Sequence, residues 1–267
     1  MDSQTASVPG TVKGSLDLEA LLRRGDVWRG HSRRFVPCQT IDSGHPLLNT
    51  ALVQQGWPQA CLIEIGQCES VATWHLFAHS ARLLAGLGDD PAWESGSGLI
   101  VLLNPPATPF AVALQQSGLP PERVLAVSPS DKADFVACFV ELARSQACSM
   151  LLSWQPKQKL SYAELRKCQL ATHEQAGLYV LFRHRHALAQ SSPAALRIHV
   201  SPQRDALHLL IQKQKGNLRR AELCLELPDN WNIQPDLVAG TAGSVAQHIA
   251  AMGQVRVAVP GRRKNEA

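Results

Sequence analysis

The sequence has no long apolar run. No stretch approaches the ~20 residues a membrane-spanning helix needs. The N-terminal segment MDSQTASVPGTVKG is polar and lacks the apolar core of a secretion signal. The expectation is a cytoplasmic location without a membrane partner. No C-x-x-C pair occurs, and the seven cysteines (Cys38, Cys61, Cys68, Cys138, Cys148, Cys168 and Cys224) are scattered and odd in number. That argues against a disulfide framework and against a zinc site, so most read as small buried apolar side chains. There is no G-x-S-x-G elbow, and no Ser/His/acid set is suggested by the spacing.

What is present is a chain of 267 residues, 45% hydrophobic, enough for one large domain with appendages and incompatible with wholesale disorder. The net charge of +4 hides an asymmetry. Residues 41–150 carry four Lys/Arg against ten Asp/Glu, whereas residues 151–222 carry twelve against four. A basic second half suits an acidic partner, nucleic acid or an acidic protein surface, and equally a solvated basic face.

The pattern divides the chain into three. Residues 1–40 hold a polar tail, a short amphipathic helix at SLDLEALLRRG (15–25) and a linker. Residues 41–227 form the core, and 228–267 read as a weakly ordered tail with a candidate short helix near 244–252. Within the core, strands at 61–65, 99–103, 123–127, 148–154 and 178–183 alternate with helices at 71–86, 108–117, 131–145 and 161–176. Near-continuous apolar strands joined through helices indicate an α/β fold: an open, mainly parallel sheet covered on both faces. The strands ALRIHV (195–200), ALHLLIQKQ (206–214) and AELCLEL (221–227) leave no room for helices, with a hairpin connection at QKGN (214–217). They predict an antiparallel C-terminal extension of the sheet.

The stretch GQCESVATW (66–74) follows the first strand, where nucleotide-binding proteins place the phosphate loop G-x-x-x-x-G-K-[ST]. Gly66 and Thr73 fit its ends, but Val71 and Ala72 stand where the second glycine and the lysine belong. Thr73 has the hydroxyl for Mg²⁺, but Ala72 brings no charge, and Val71 resists positive φ. Glu69 would repel phosphates. Each lost charge-assisted hydrogen bond removes about 1.5–3 kcal/mol, roughly 10–100-fold in affinity. The fourth strand ends in Leu152-Ser153-Trp154 without the aspartate that holds Mg²⁺ in such ATPases. The expectation is therefore a degenerate loop, no bound cofactor, no catalytic residues and no enzyme.

The order of these pieces is similar to the RecA-type ATPase core, which Ile41-Asp42-Ser43-Gly44, Leu48-Asn49 and Gly56-Trp57-Pro58 match loosely. The chain more closely resembles the ImuA family, the RecA-like accessory proteins of inducible mutagenic DNA synthesis. The residues that carry the likeness are Val27-Trp28-Arg29-Gly30, Gly56-Trp57-Pro58, Leu62-Ile63-Glu64, Asn104-Pro105-Pro106 and Leu151-Leu152-Ser153-Trp154. Leu165 to Ala171, Leu181-Phe182-Arg183 and Ser192 to Arg197 complete it, over residues 16–227. The resemblance implies a RecA-like fold and a non-catalytic scaffold in SOS-induced translesion synthesis. Its implied partners are an ImuB-type Y-family polymerase homologue and an error-prone replicative-type polymerase, with RecA or a second copy as further partners. Residues 60–185 also resemble the shorter SulA-type inhibitors of cell division, which bind the tubulin-like division protein.

Other constellations have two readings each. Lys213, Lys215, Arg219 and Arg220 flank the hairpin, as phosphate contacts for DNA or as guards of an edge strand. No aromatics interleave with them to stack bases. His75 and His79 have metal-ligand spacing but no accompanying pair, so no metal is expected. Arg183-His184-Arg185-His186 closes the fifth strand as a ligand-facing cluster or a polar tip. Trp28, Trp57, Trp74 and Trp93 read as partner anchors or as core.

Overall fold

The computed structural model describes residues 39–67, 73–87, 98–203, 206–216 and 220–226. The helix at 15–25, Trp28, Trp93, Glu69, Val71, Ala72, Arg219 and the tail from 228, with its helix at 244–252, lie outside them.

The chain enters through β1 (Thr40–Ile41), α1 (Pro46–Ala51) and β2 (Trp57–Pro58), with β1 and β2 pairing antiparallel in a small sheet of their own. There follow β3 (Leu62–Gln67), a 3-10 turn at Thr73–Phe77, α2 (Ala78–Leu84), β4 (Leu99–Leu103) and α3 (Ala111–Gln116). Next come β5 (Val124–Val127), α4 (Lys132–Arg144), β6 (Cys148–Trp154), α5 (Tyr162–Ala171) and β7 (Leu178–His184). A 3-10 turn at Arg185–Ala189 leads to β8 (Leu196–Pro202), β9 (Ala206–Gln214) and β10 (Ala221–Glu226). The eight-stranded sheet has the order β10-β9-β8-β3-β7-β6-β4-β5. All its strands run parallel except β9, which is antiparallel to both neighbours.

Side-chain alternation splits the core into two. Ile63, Ile65, Ile100, Leu102, Val180 and Phe182 face α1, α2 and α3, which bring Leu48, Leu84 and Leu114. Leu62, Val101, Leu103, Leu151, Tyr179 and Leu181 face α4 and α5. Phe135, Phe139 and Ala143, four apart, form the buried stripe of α4, and Leu165 and Cys168 that of α5. Both helices start where their side chains say they should. Asp131 accepts the Asp134 N–H at 2.8 Å, and Ser161 and Glu164 form a reciprocal capping box. Cys61, Cys148 and Cys168 are buried in this packing, and burial pushes the last two thiols up to about 12.

The parallel core agrees with the sequence pattern; the differences are local. The helix expected over 71–86 is, in the described part, a 3-10 turn followed by α2 from Ala78 to Leu84. The helix expected over 108–117 covers only Ala111–Gln116. The extension is not wholly antiparallel: β8 joins β3 in parallel, and only β9 reverses. Among the described residues no helix is long and apolar enough to cross a membrane.

Candidate functional site

Strand β3 lies between β7 and β8, and its C-terminal end carries Gly66 and Gln67. The connection from β7 to β8 must cross over β3, and it does so through the 3-10 turn Arg185–Ala189. Leu188 of that turn sits directly on Gly66, where a Cβ would collide with it. Beyond Gly66, the Gln67 side-chain carbonyl accepts the Thr73 hydroxyl. Thr73 is buried. Its hydroxyl, which the motif pattern would offer to Mg²⁺, is thus engaged within the protein.

The neighbouring strand ends are used in a similar way. Ser153 at the end of β6 donates to the Val180 carbonyl at 2.7 Å. Trp154 stacks on Phe182 with ring centroids 4.8 Å apart. Asn104 follows β4 at φ +56°, and its amide donates to the Trp154 carbonyl at 2.9 Å. Asn tolerates that left-handed conformation better than most residues. Together these ends border an open cleft of about 750 Å³, lined by Gln67, Asn104, Lys132, Trp154, Lys157 and Arg183 among others. Its one carboxylate among the described lining residues is Asp131, already the cap of α4.

Beneath the turn lies a buried charge cluster that the sequence reading did not assemble. The Glu64 carboxylate, fully buried, accepts from Arg183 Nη1 at 3.2 Å, Arg197 Nε at 2.9 Å and the Ser192 hydroxyl at 2.5 Å. Arg183 Nε also donates to the Gln155 side chain at 2.7 Å, and Arg197 reaches the Ala187 carbonyl at 3.4 Å. Strand register explains the cluster. Glu64 is opposite Arg197 on β8 and Leu181 on β7, so Arg183, two residues on, projects from the same face. A charge in the middle of an apolar central strand was the available signal, because it needs a buried partner. Arg183 therefore belongs to the core, whereas His184 and His186 are exposed, stacked at 4.7 Å.

The hairpin cations do not act as one group. Register slips between Arg197 and Ile198: Ile198 faces Ile211, while Arg197 faces Lys213, leaving Gln212 as an extra residue. This bulge turns Lys213 from the face of Ile211 to that of Arg197. Lys213 Nζ donates to the Ser192 carbonyl at 3.0 Å. Lys213 and Lys215 line a second cavity, of about 490 Å³, whereas Arg220 does not.

His79 lies 3.7 Å from Asp42. His75 stacks on Trp74 at 3.9 Å, and its burial lowers its pKa to about 4. Trp57 is core, stacked on Phe77 at 4.6 Å.

Compared with known families and curated proteins, the chain matches no family model and no curated sequence.

Proposed function

We propose that this chain is a RecA-like scaffold without catalytic activity that acts in SOS-induced translesion DNA synthesis. In this reading it works beside an ImuB-type Y-family polymerase homologue and an error-prone replicative-type polymerase. The observation that carries the non-catalytic part is the use made of the nucleotide end of the sheet. Gly66 seats Leu188, the Thr73 hydroxyl is bound to Gln67, and the end of β6 offers Ser153 and Trp154 to its own neighbours. A phosphate loop needs free backbone N–H groups, a lysine and a hydroxyl held for the metal. The sequence supplies no lysine at Ala72, and the described groups that remain serve packing.

The ImuA resemblance supplies the pathway and partners. Three of its segments, Leu62-Ile63-Glu64, Leu181-Phe182-Arg183 and Ser192 to Arg197, contribute the members of the buried charge cluster. That gives those segments a shared structural reason and supports a rigid platform as their product.

Isothermal titration with ATP·Mg²⁺ and a damage-induced mutagenesis assay on the gene deletion test the two halves separately. Expected are no micromolar nucleotide binding, no turnover, and loss of induced mutagenesis. Binding with turnover would overturn the non-catalytic half. Unchanged mutagenesis, with filamentous cells on overexpression, would replace the translesion half with division inhibition of the SulA type.

A further inference from the structure

The cavity of about 490 Å³ lies at the end of the sheet where β3 and β8 begin, opposite the cleft at the strands' C-terminal ends. Its walls are the segment leading into β3, α5, the entry to β8 and the exit from β9. Three cations line it: Arg166 from α5, and Lys213 and Lys215 from β9 and its turn. No Asp or Glu is among its described lining residues. Another part of the wall is apolar, formed by Pro58, Ala60, Pro193 and Ala194.

Charge is unbalanced behind this wall as well. One rung across the sheet runs from Glu64 through Arg197 to Lys213. The single carboxylate of that rung is already shared by two guanidiniums. Partial burial and then the Arg197 charge hold Lys213 below its ordinary range. His173, also in the wall, is held low by burial and then by Lys215 and Arg166. Its tautomer follows from its partners. The Gln169 carbonyl accepts the Leu62 N–H at 3.1 Å, so the Gln169 amide faces His173 Nε2 at 3.0 Å and donates to it. The ring is therefore neutral, and among the described lining residues no carboxylate stands beside the three cations. The bulge at Gln212 brings both lysines to this face.

We propose that this pocket binds a phosphate monoester. The dianionic phosphate sits among Arg166, Lys213 and Lys215, and the attached organic group lies along the Pro58, Ala60, Pro193 and Ala194 wall. The volume falls in the range of small-ligand sites, ~300–1,000 Å³, and is larger than a bare phosphate requires. A free mononucleotide and the 5′-phosphate end of a DNA strand share this chemistry. The proposal stands independently of the scaffold reading.

Titration calorimetry on the full chain would use inorganic phosphate, 2′-deoxyadenosine 5′-monophosphate, 2′-deoxyadenosine, and one single-stranded oligonucleotide with and without its 5′-phosphate. Expected is binding of at least one monoester probe, none of the nucleoside, and a preference for the phosphorylated oligonucleotide over its unphosphorylated form if DNA is the source. Arg166→Met and Lys215→Met, both at exposed positions, should each weaken that binding roughly 10-fold, with the far-ultraviolet dichroism of each variant confirming that it is folded. Bound anion should also raise the pKa read from the His173 ring signals, a measurement that needs no variant. Tighter binding of the free monophosphate than of the phosphorylated oligonucleotide identifies a small metabolite, and the reverse identifies a DNA end. No binding of any phosphate probe, equal binding of nucleoside and monophosphate, unchanged affinity in both variants, or an unmoved His173 signal overturns the proposal.

Discussion

Leu188 occupies the space that a Cβ on Gly66 would need. The glycine that looks like the start of a phosphate loop is thus the seat of the crossover that carries the chain from β7 over β3 to β8. Gly66→Ala should lower stability by about 1–3 kcal/mol through overpacking. Leu188→Ala alone should cost about 2–5 kcal/mol by opening a cavity. The double variant should be more stable than the sum of the two losses by roughly 0.5–3 kcal/mol, because the new methyl fills part of that cavity. Urea denaturation of the four proteins measures this, and strict additivity would show that Gly66 is not there for Leu188.

The Glu64 cluster makes a second prediction, in which the order of effects matters more than their size. Glu64→Gln leaves two buried guanidiniums short of a carboxylate, and Arg197→Met leaves Glu64 with Arg183 and Ser192. Removing one member of a buried ion cluster costs about 3–5 kcal/mol. Glu64→Gln should be at least as damaging as Arg197→Met, since it strands two cations rather than weakening one carboxylate. The triple replacement Glu64→Leu, Arg183→Met, Arg197→Met removes all three charges together and should recover much of the loss. Denaturation midpoints that fall further with each added substitution would refute this account.

The parallel core was legible because β3, β4, β6 and β7 are buried on both faces and so read as near-continuous apolar runs. Leu99–Leu103 and Cys148–Trp154 match the strands read from sequence. What was not legible depended on register. The apolar alternation Leu207, Leu209, Ile211, carried forward, puts Lys213 on the face of α1; the bulge at Gln212 puts it on the face of α5 instead. Arg183 and His184 are adjacent in sequence, yet one is buried and the other exposed, because only Arg183 points toward Glu64. Gly66 carried a motif's meaning in sequence, and its packing partner is a leucine more than a hundred positions away. Such facts arise from contacts between distant segments, which local pattern does not encode.

The start of α5 gives a prediction confined to acid. Glu164 accepts the Ser161 N–H at 2.7 Å, and its carboxylate lies 2.9 Å from Lys132 of α4. Those hydrogen bonds, the Ser161 backbone first, hold its pKa down at about 2 against an ordinary 4.5. A carboxylate with a depressed pKa stabilises the fold above its ordinary value and loses that effect as pH falls toward the folded one. Ser161→Ala should cost about 1 kcal/mol at neutral pH. Glu164→Gln should flatten the stability profile between pH 4.5 and 2, and an unchanged acid limb in that variant would sink the assignment.

His75 governs a higher window. Burial against Trp74 lowers its pKa from 6.5 to about 4, so the folded chain keeps the ring neutral where the unfolded chain takes up a proton. The stability held above pH 6.5 is therefore lost progressively as pH falls toward 4. Burial also lowers His45, His173 and His199, and each adds to the loss in the same direction. Thermal melts should decline across this interval, and His75→Gln, which cannot be protonated, should remove part of the slope without touching the lower window set by Glu164. If the variant melts with the full wild-type slope between pH 6.5 and 4, the loss comes from the other three histidines and His75 is not the sensitive group.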